Sequence, residues 1–188
     1  MPDADLPTID LRHAPGRRSA WGRPAWVVYL WSAAELLFVS NAWQPSSRLR
    51  SRVLRAFGAT IGPDVILRPR LRVKCPWKLR VGERSWLGED VWLHNQDHLV
   101  IGADVVVSQG SFVTTGSHAF RDDMALVTRP VVIEDGAWVT ARCVVLSGSR
   151  IGRAALVLPN TVVRGDVPAG TVFGTPAGEV LGTRFSPA

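Results

Sequence analysis

At 188 residues the chain has room for one hydrophobic core and not for two comfortable domains. Its 22 basic residues, 20 of them Arg, outweigh 16 acids and suit phosphate, anionic lipid or acidic polysaccharide. Two cysteines make neither a disulfide framework nor a zinc knuckle, and no recognised binding motif points to nucleic acid.

Residues 1–23 form an expected surface arm; the first twenty are polar and lack the apolar core of a secretory signal, so a cytoplasmic location is expected. Pro24 to Trp43 is apolar apart from Glu35 and a few small polar residues, and its length approaches a membrane span. Glu35 at mid-segment and Trp at the flanks favour a helix lying at an interface or packed on the protein. Residues 48–80 hold ten basic side chains against one acid, Asp64. Peripheral association with the inner face of a membrane, through 24–43 and 48–80, is therefore an expectation beside that of a solvated surface. Ser46 or Ser47 caps a short basic helix, SRLRSRVLRAF, that Gly58 closes in the C′ position.

From Ile61 onward an aliphatic residue returns every six positions. The anchors are Ile61, Leu67, Val73 and Leu79, then Val81, Leu87 and Leu93, then Ile101, Val107 and Val113, and finally Ile133 through Val163. Small or aliphatic residues follow four positions after most anchors, among them Val65, Ser85, Val91, Ser111, Cys143 and Thr161. No α-helix has this period, and a plain strand alternates with period two. The pattern predicts an all-β fold: a parallel β-helix with one strand and one corner per hexapeptide. Coils are expected at 61–80, 81–100, 101–132, 133–150 and 151–168, giving an arm with helices at 1–60 and a β-helix domain at 61–188. Between Val113 and Ile133 the register breaks, which predicts an excursion loop at 119–132.

His118 stands at the base of that loop. With Val113 and Ser117 in the inward slots it faces out, where a general base belongs. Asn95 and Asp97 lie one coil earlier, about 4.8 Å below in a stacked arrangement. Either Asn95 holds the acceptor or thioester and Asp97, in a nominally inward slot, orients His118, or the pair caps a corner. His94 and His98 complete an imidazole trio that admits a zinc reading. Trp86, Trp92 and Trp138 occupy outward slots, and apolar surface of that size suggests a contact between copies of the chain.

The ordered set Leu54-Arg-Ala-Phe-Gly-Ala-Thr-Ile-Gly62, Trp86-Leu-Gly-Glu-Asp-Val-Trp-Leu93, Ser108-Gln-Gly110, Thr115-Gly-Ser-His118 and Asp135-Gly-Ala-Trp-Val139 resembles the hexapeptide-repeat acetyltransferases of the colanic-acid-biosynthesis type. That resemblance implies left-handed coils, a homotrimer with shared active sites, acetyl-CoA as co-substrate without a metal, and His118 as the base acting on a sugar hydroxyl. It also implies that Ala141 and the turn Gly174-Thr175-Pro176 approach the coenzyme's thioester and pantetheine arm. The chain departs from the pattern at Arg164-Gly165-Asp166 and at Gly178, which leaves Arg164, Arg153 or Arg184 to meet the coenzyme phosphates. A non-catalytic scaffold that binds a partner or membrane is the alternative.

Overall fold

In the computed structural model, which describes residues 8–15 and 21–175, the hexapeptide anchors turn into a closed interior between three parallel sheets. The first sheet stacks Thr60–Ile61, Leu79–Val81, Leu99–Ile101, Val131–Ile133, Arg150–Ile151 and Asp166–Val167. The second stacks Ile66–Leu67, Trp86–Leu87, Val106–Val107, Trp138–Val139, Leu156–Val157 and Val172–Phe173. The third stacks Arg72–Val73, Trp92–His94, Phe112–Thr114, Val144–Val145 and Val162–Val163. Register holds through the whole height: Ile61 pairs with Val81, then Ile101, Ile133, Ile151 and Val167.

The small residues four after most anchors are buried at the corners, as their size requires. Two of the serines bond the neighbouring coil, Ser85 Oγ donating to Gly102 O at 2.7 Å and Ser111 Oγ to Thr140 O at 2.9 Å, whereas the buried Thr161 hydroxyl has no partner among the described residues. A buried hydroxyl left alone would cost more than it gains. Many of the corners between the first two sheets, and between the second and third, turn through a left-handed residue. Asp64 (φ 55°), Arg84 (φ 58°) and Asp104 (φ 56°) form one such column, and Arg84 bridges to Asp104 at 2.7 Å.

The prism is taller than the expected five coils. Val167 follows Val163 by four residues, so a shortened corner starts a sixth turn that ends with Phe173.

The helical cap follows the sequence at α2 and adds detail at α1. Helix α1, Ala25–Ala34, runs into a π-type turn at Glu35–Val39, and α2 spans Ser47–Ala56. Ser46 caps α2 by accepting the Leu49 N–H at 3.2 Å, and Gly58 closes it at φ 95°. Trp31 is buried, and its indole N–H donates to Val73 O at 2.9 Å. Glu35 accepts the Val73 N–H at 2.6 Å. Arg50 is fully buried and ties the cap together by donating to Val39 O at 3.0 Å and to the carbonyls of Asn41 and Gln44.

The basic segment is thus not one open face. Arg50 is an internal strut, Arg70 is paired with Asp90 and Glu89, and Arg72 lies 4.0 Å over the Trp92 ring. Among the described residues no helix is long and apolar enough to cross a membrane.

Candidate active site

The excursion is shorter and more ordered than the expected loop. It leaves the third sheet at Thr115 as an antiparallel hairpin, Gly116–His118 against Leu126–Thr128, with Gly116 opposite Thr128 and His118 opposite Leu126. The Arg129 N–H donates to Thr115 O at 2.9 Å and closes its neck. A Cβ at Gly116 would meet Gln96 Oε1, so a larger residue there would have to displace the end of the Gln96 side chain.

His118 is therefore on the hairpin rather than on a rigid coil, and Ser117 is exposed rather than inward. The inward register ends at Thr115, which is fully buried, because pairing across the hairpin replaces stacking on the prism. The imidazole is exposed, and its Nδ1 lies 2.8 Å from Met124 O. A carbonyl only accepts, so Nδ1 carries the proton and Nε2 of the neutral ring presents a lone pair. Met124 sits at φ 58°, an uncommon conformation for a side chain of its size, and its N–H donates to Ala119 O at 3.1 Å.

His118 opens into a cleft of about 450 Å³ lined also by Phe120, Val127, Arg129, Leu146 and Arg164. Arg164 thus lines the same cleft as His118 within one chain. Phe120, Arg129 and the Met124 carbonyl were not foreseen. Arg129 had a signal, since the residue before Pro130 is held extended at the loop's return; a backbone carbonyl leaves none.

Asn95 and Asp97 exchange the slots expected of them. Asn95 is fully buried: its Oδ1 accepts the Cys75 N–H at 3.1 Å and its Nδ2 donates to Cys75 O at 2.7 Å. Its amide is spent on the neighbouring coil and does not reach the cleft. Asp97 is only partly buried; its N–H donates to Thr115 Oγ1 at 2.7 Å, and its carboxylate accepts the His98 N–H at 2.7 Å. The orienting partner of His118 is Met124, not Asp97. The two extra residues between the anchors Leu93 and Ile101 lengthen this corner, and the residue two after the anchor turns inward instead of the one four after.

The imidazole trio does not assemble. Among the described residues no group of three His, Cys, Asp or Glu side chains is placed to hold a metal ion. His94 is half-buried between Trp92 and Phe112, 3.4 Å from Thr114 Oγ1, and burial, then Lys74 and Arg72, lowers its pKa. Cys75 and Cys143 are free and buried, and burial pushes the Cys75 thiol up to about 11.

The remaining candidates lie on other edges of the prism. Ala141 and the pair Gly174 and Thr175 belong to the corner between the second and third sheets, whereas His118 and Arg164 belong to the corner between the third and first. Arg153 lies on the remaining edge, where it donates to Asp135 at 3.0 Å. Pro176 and Arg184 lie outside the described residues.

No family model matches the chain. Over 154 residues, 80% of this chain and 84% of the relative, it is 36% identical to the "Putative colanic acid biosynthesis acetyltransferase WcaF" of Escherichia coli K12. The chain belongs to the hexapeptide-repeat acetyltransferases. A member from Vibrio cholerae O1 biovar eltor, solved with acetyl coenzyme A, superposes with a TM-score of 0.70 at 25% identity, covering 88% of this chain and 92% of that one. A maltose O-acetyltransferase from Clostridium difficile 630 superposes with a TM-score of 0.64 at 19% identity, covering 81% of each chain. At that identity the likeness speaks for the fold alone. The acetyltransferase is thus a left-handed β-helix of about six turns with one excursion hairpin and a helical cap.

Proposed function

We propose that this acetyltransferase moves an acetyl group from acetyl-CoA to a sugar hydroxyl during exopolysaccharide or glycolipid assembly. One observation carries the reading: Nδ1 of His118 is held by Met124 O, so a basic Nε2 faces an open cleft that also contains a cationic side chain, Arg164. Nε2 takes the hydroxyl proton as the sugar oxygen attacks the thioester carbonyl carbon. The tetrahedral intermediate then collapses, the C–S bond breaks, and the imidazolium returns its proton to the departing thiolate. Backbone amides of the last coils stabilise the oxyanion.

Transfer is direct in this reading. Ser117 is exposed beside His118 on the hairpin, but Nδ1 is occupied by Met124 and no bond from either ring nitrogen to the Ser117 hydroxyl activates it. Arg164 meets a coenzyme phosphate, while Ala141, Gly174 and Thr175 approach the pantetheine arm. Because these sets stand on different edges of one prism, a single copy cannot close the site, and three copies around a threefold axis supply both edges to each cleft.

The exposed ridge on the second sheet supports such an assembly. Ile66, Trp86, Val106, Trp138, Leu156 and Val172 are stacked outward along it, with Trp86 53% and Trp138 49% exposed. Trp92 does not join them; it faces out from the third sheet, covered by Arg72 and Phe112. Attachment to the inner face of a membrane belongs to the same reading, since polysaccharide precursors are assembled there. A panel of acyl-CoA donors crossed with nucleotide-sugar and lipid-linked acceptors, read by free thiol release and product mass, tests the activity. Absence of thiol release with every acceptor would refute it.

A further inference from the structure

We propose that the outer face of the helical cap rests on an anionic bilayer, with Trp26, Leu30, Leu37 and Trp43 in the headgroup boundary and Arg48 and Arg52 on lipid phosphates. This deepens the membrane part of the reading above and is independent of the transfer chemistry. Helix α1 and its π-type turn are apolar but for Ser32 and Glu35, yet only one side is used: Trp31 and Val39 are buried, whereas Trp26 is 68%, Leu30 54% and Leu37 56% exposed, and Trp43 beyond the turn is 94% exposed. A helix apolar all round ordinarily lies in a core or in lipid. At 100° per residue, positions 26, 30, 33 and 37 fall on one stripe, opposite the prism.

The segment cannot cross. Ten helical residues of α1 are about 15 Å long, half of a hydrocarbon core. Glu35, farther along, is tied to the Val73 N–H. The same segment can lie flat, because tryptophan rings suit the level where one edge is apolar and the other wet.

Charge selects the occupant. Arg48 and Arg52 have no hydrogen-bond or ion-pair partner among the described residues, and they border an open pocket of about 650 Å³ on α2 with Arg55, whose guanidinium is spent on Ile61 O and Gly62 O. Asp64 is the one acid lining it. Buried Arg50 fixes α2 to the turn that carries Trp43, so cationic and apolar groups move as one body. Phosphate headgroups above acyl chains satisfy the cationic and the apolar groups together.

The test is co-sedimentation of the full-length protein with vesicles of phosphatidylcholine alone or mixed with phosphatidylserine. Binding to the mixed vesicles only, weakened by salt, is expected. Leu30→Ser with Leu37→Ser, and separately Arg48→Ala with Arg52→Ala, should each lower partitioning about tenfold. All four side chains are at the surface, and circular dichroism would confirm the fold. No binding to anionic vesicles, or binding unaltered in both variants, overturns the proposal. So does a leucine variant that falls to a smaller species in free solution, because the face would then join copies of the chain. Acetyl transfer to a soluble acceptor, assayed on the same preparations, should be unchanged in both variants; vesicle binding without any transfer would sink the enzymatic reading and leave this one standing.

Discussion

The Nδ1 atom of His118 lies 2.8 Å from the carbonyl oxygen of Met124, six residues further along the chain. The bond is local to the hairpin, so the same turn that lifts the imidazole off the prism also sets its tautomer. An imidazole fixed by backbone needs no carboxylate to set its tautomer, and the Asp97 carboxylate is used at its own corner.

Changing His118 to Ala should lower turnover about 100-fold or more, since general-base assistance is commonly worth that much. The side chain is exposed and buries nothing, so the melting temperature should hardly move. Steady-state kinetics together with a thermal melt decide the matter. A folded variant with wild-type turnover would remove His118 from the chemistry.

Arg164→Ala should raise the Michaelis constant for acetyl-CoA several-fold while altering turnover much less. A contact that holds the coenzyme equally in ground and transition states is uniform binding, which raises the Michaelis constant when it is lost and leaves turnover nearly unchanged. Arg153→Ala should do less, because that guanidinium is already engaged by Asp135 on another edge. Equal and large effects from both would mean that the coenzyme lies across two edges of one copy.

The inward anchors were legible because a closed prism accepts only apolar side chains there, and Ile61 to Val163 obey that rule without exception. Handedness came from resemblance, since spacing is the same for either hand. The sixth turn was missed because the corner before Val167 is two residues short. Trp86, Trp92 and Trp138 share a slot in the repeat but not a face, which only the coil count around the prism reveals. His118 was singled out by the register break beside it and by the resemblance, whereas the slot argument failed because the hairpin takes Ser117 out of the inward register. Its partner was not singled out, because the contact is made by a backbone carbonyl, whose direction the Met124 side chain does not encode.

Asn95→Ala should cost about 2 kcal/mol of stability, because it strips partners from the buried N–H and C=O of Cys75. Turnover per folded molecule should stay close to wild type. Denaturant unfolding paired with active-site-normalised kinetics separates the two effects. A large loss of turnover at unchanged stability would return Asn95 to the acceptor or thioester.

Glu35 gives a pH signature. Burial raises its pKa above the ordinary 4.5, against the Val73 hydrogen bond and the charges of Arg72 and Lys74. A carboxyl raised on folding contributes stability that is complete below its unfolded pKa and is lost as pH rises through the folded one. Glu35→Gln keeps an acceptor for the Val73 N–H and removes the titration. The variant should therefore melt higher than wild type at pH 7, and the two should converge below about pH 4.5. A wild type that is the more stable at pH 7 would show that the charge itself is favourable there.

Trp138→Glu tests whether the clefts are shared. The ring is about half exposed, and its indole N–H reaches only Ser108 Oγ, at 2.9 Å, so an isolated prism should tolerate the change. In an assembly it would set a carboxylate in the middle of the Trp86 to Val172 ridge, where an unpaired charge is costly to bury. Sedimentation velocity should show the trimer replaced by a folded monomer, and transfer should disappear with it, because Ala141 and Gly174 stand an edge away from His118 in any one copy. A monomeric variant that transfers acetyl groups at the wild-type rate would mean that one chain builds the whole site.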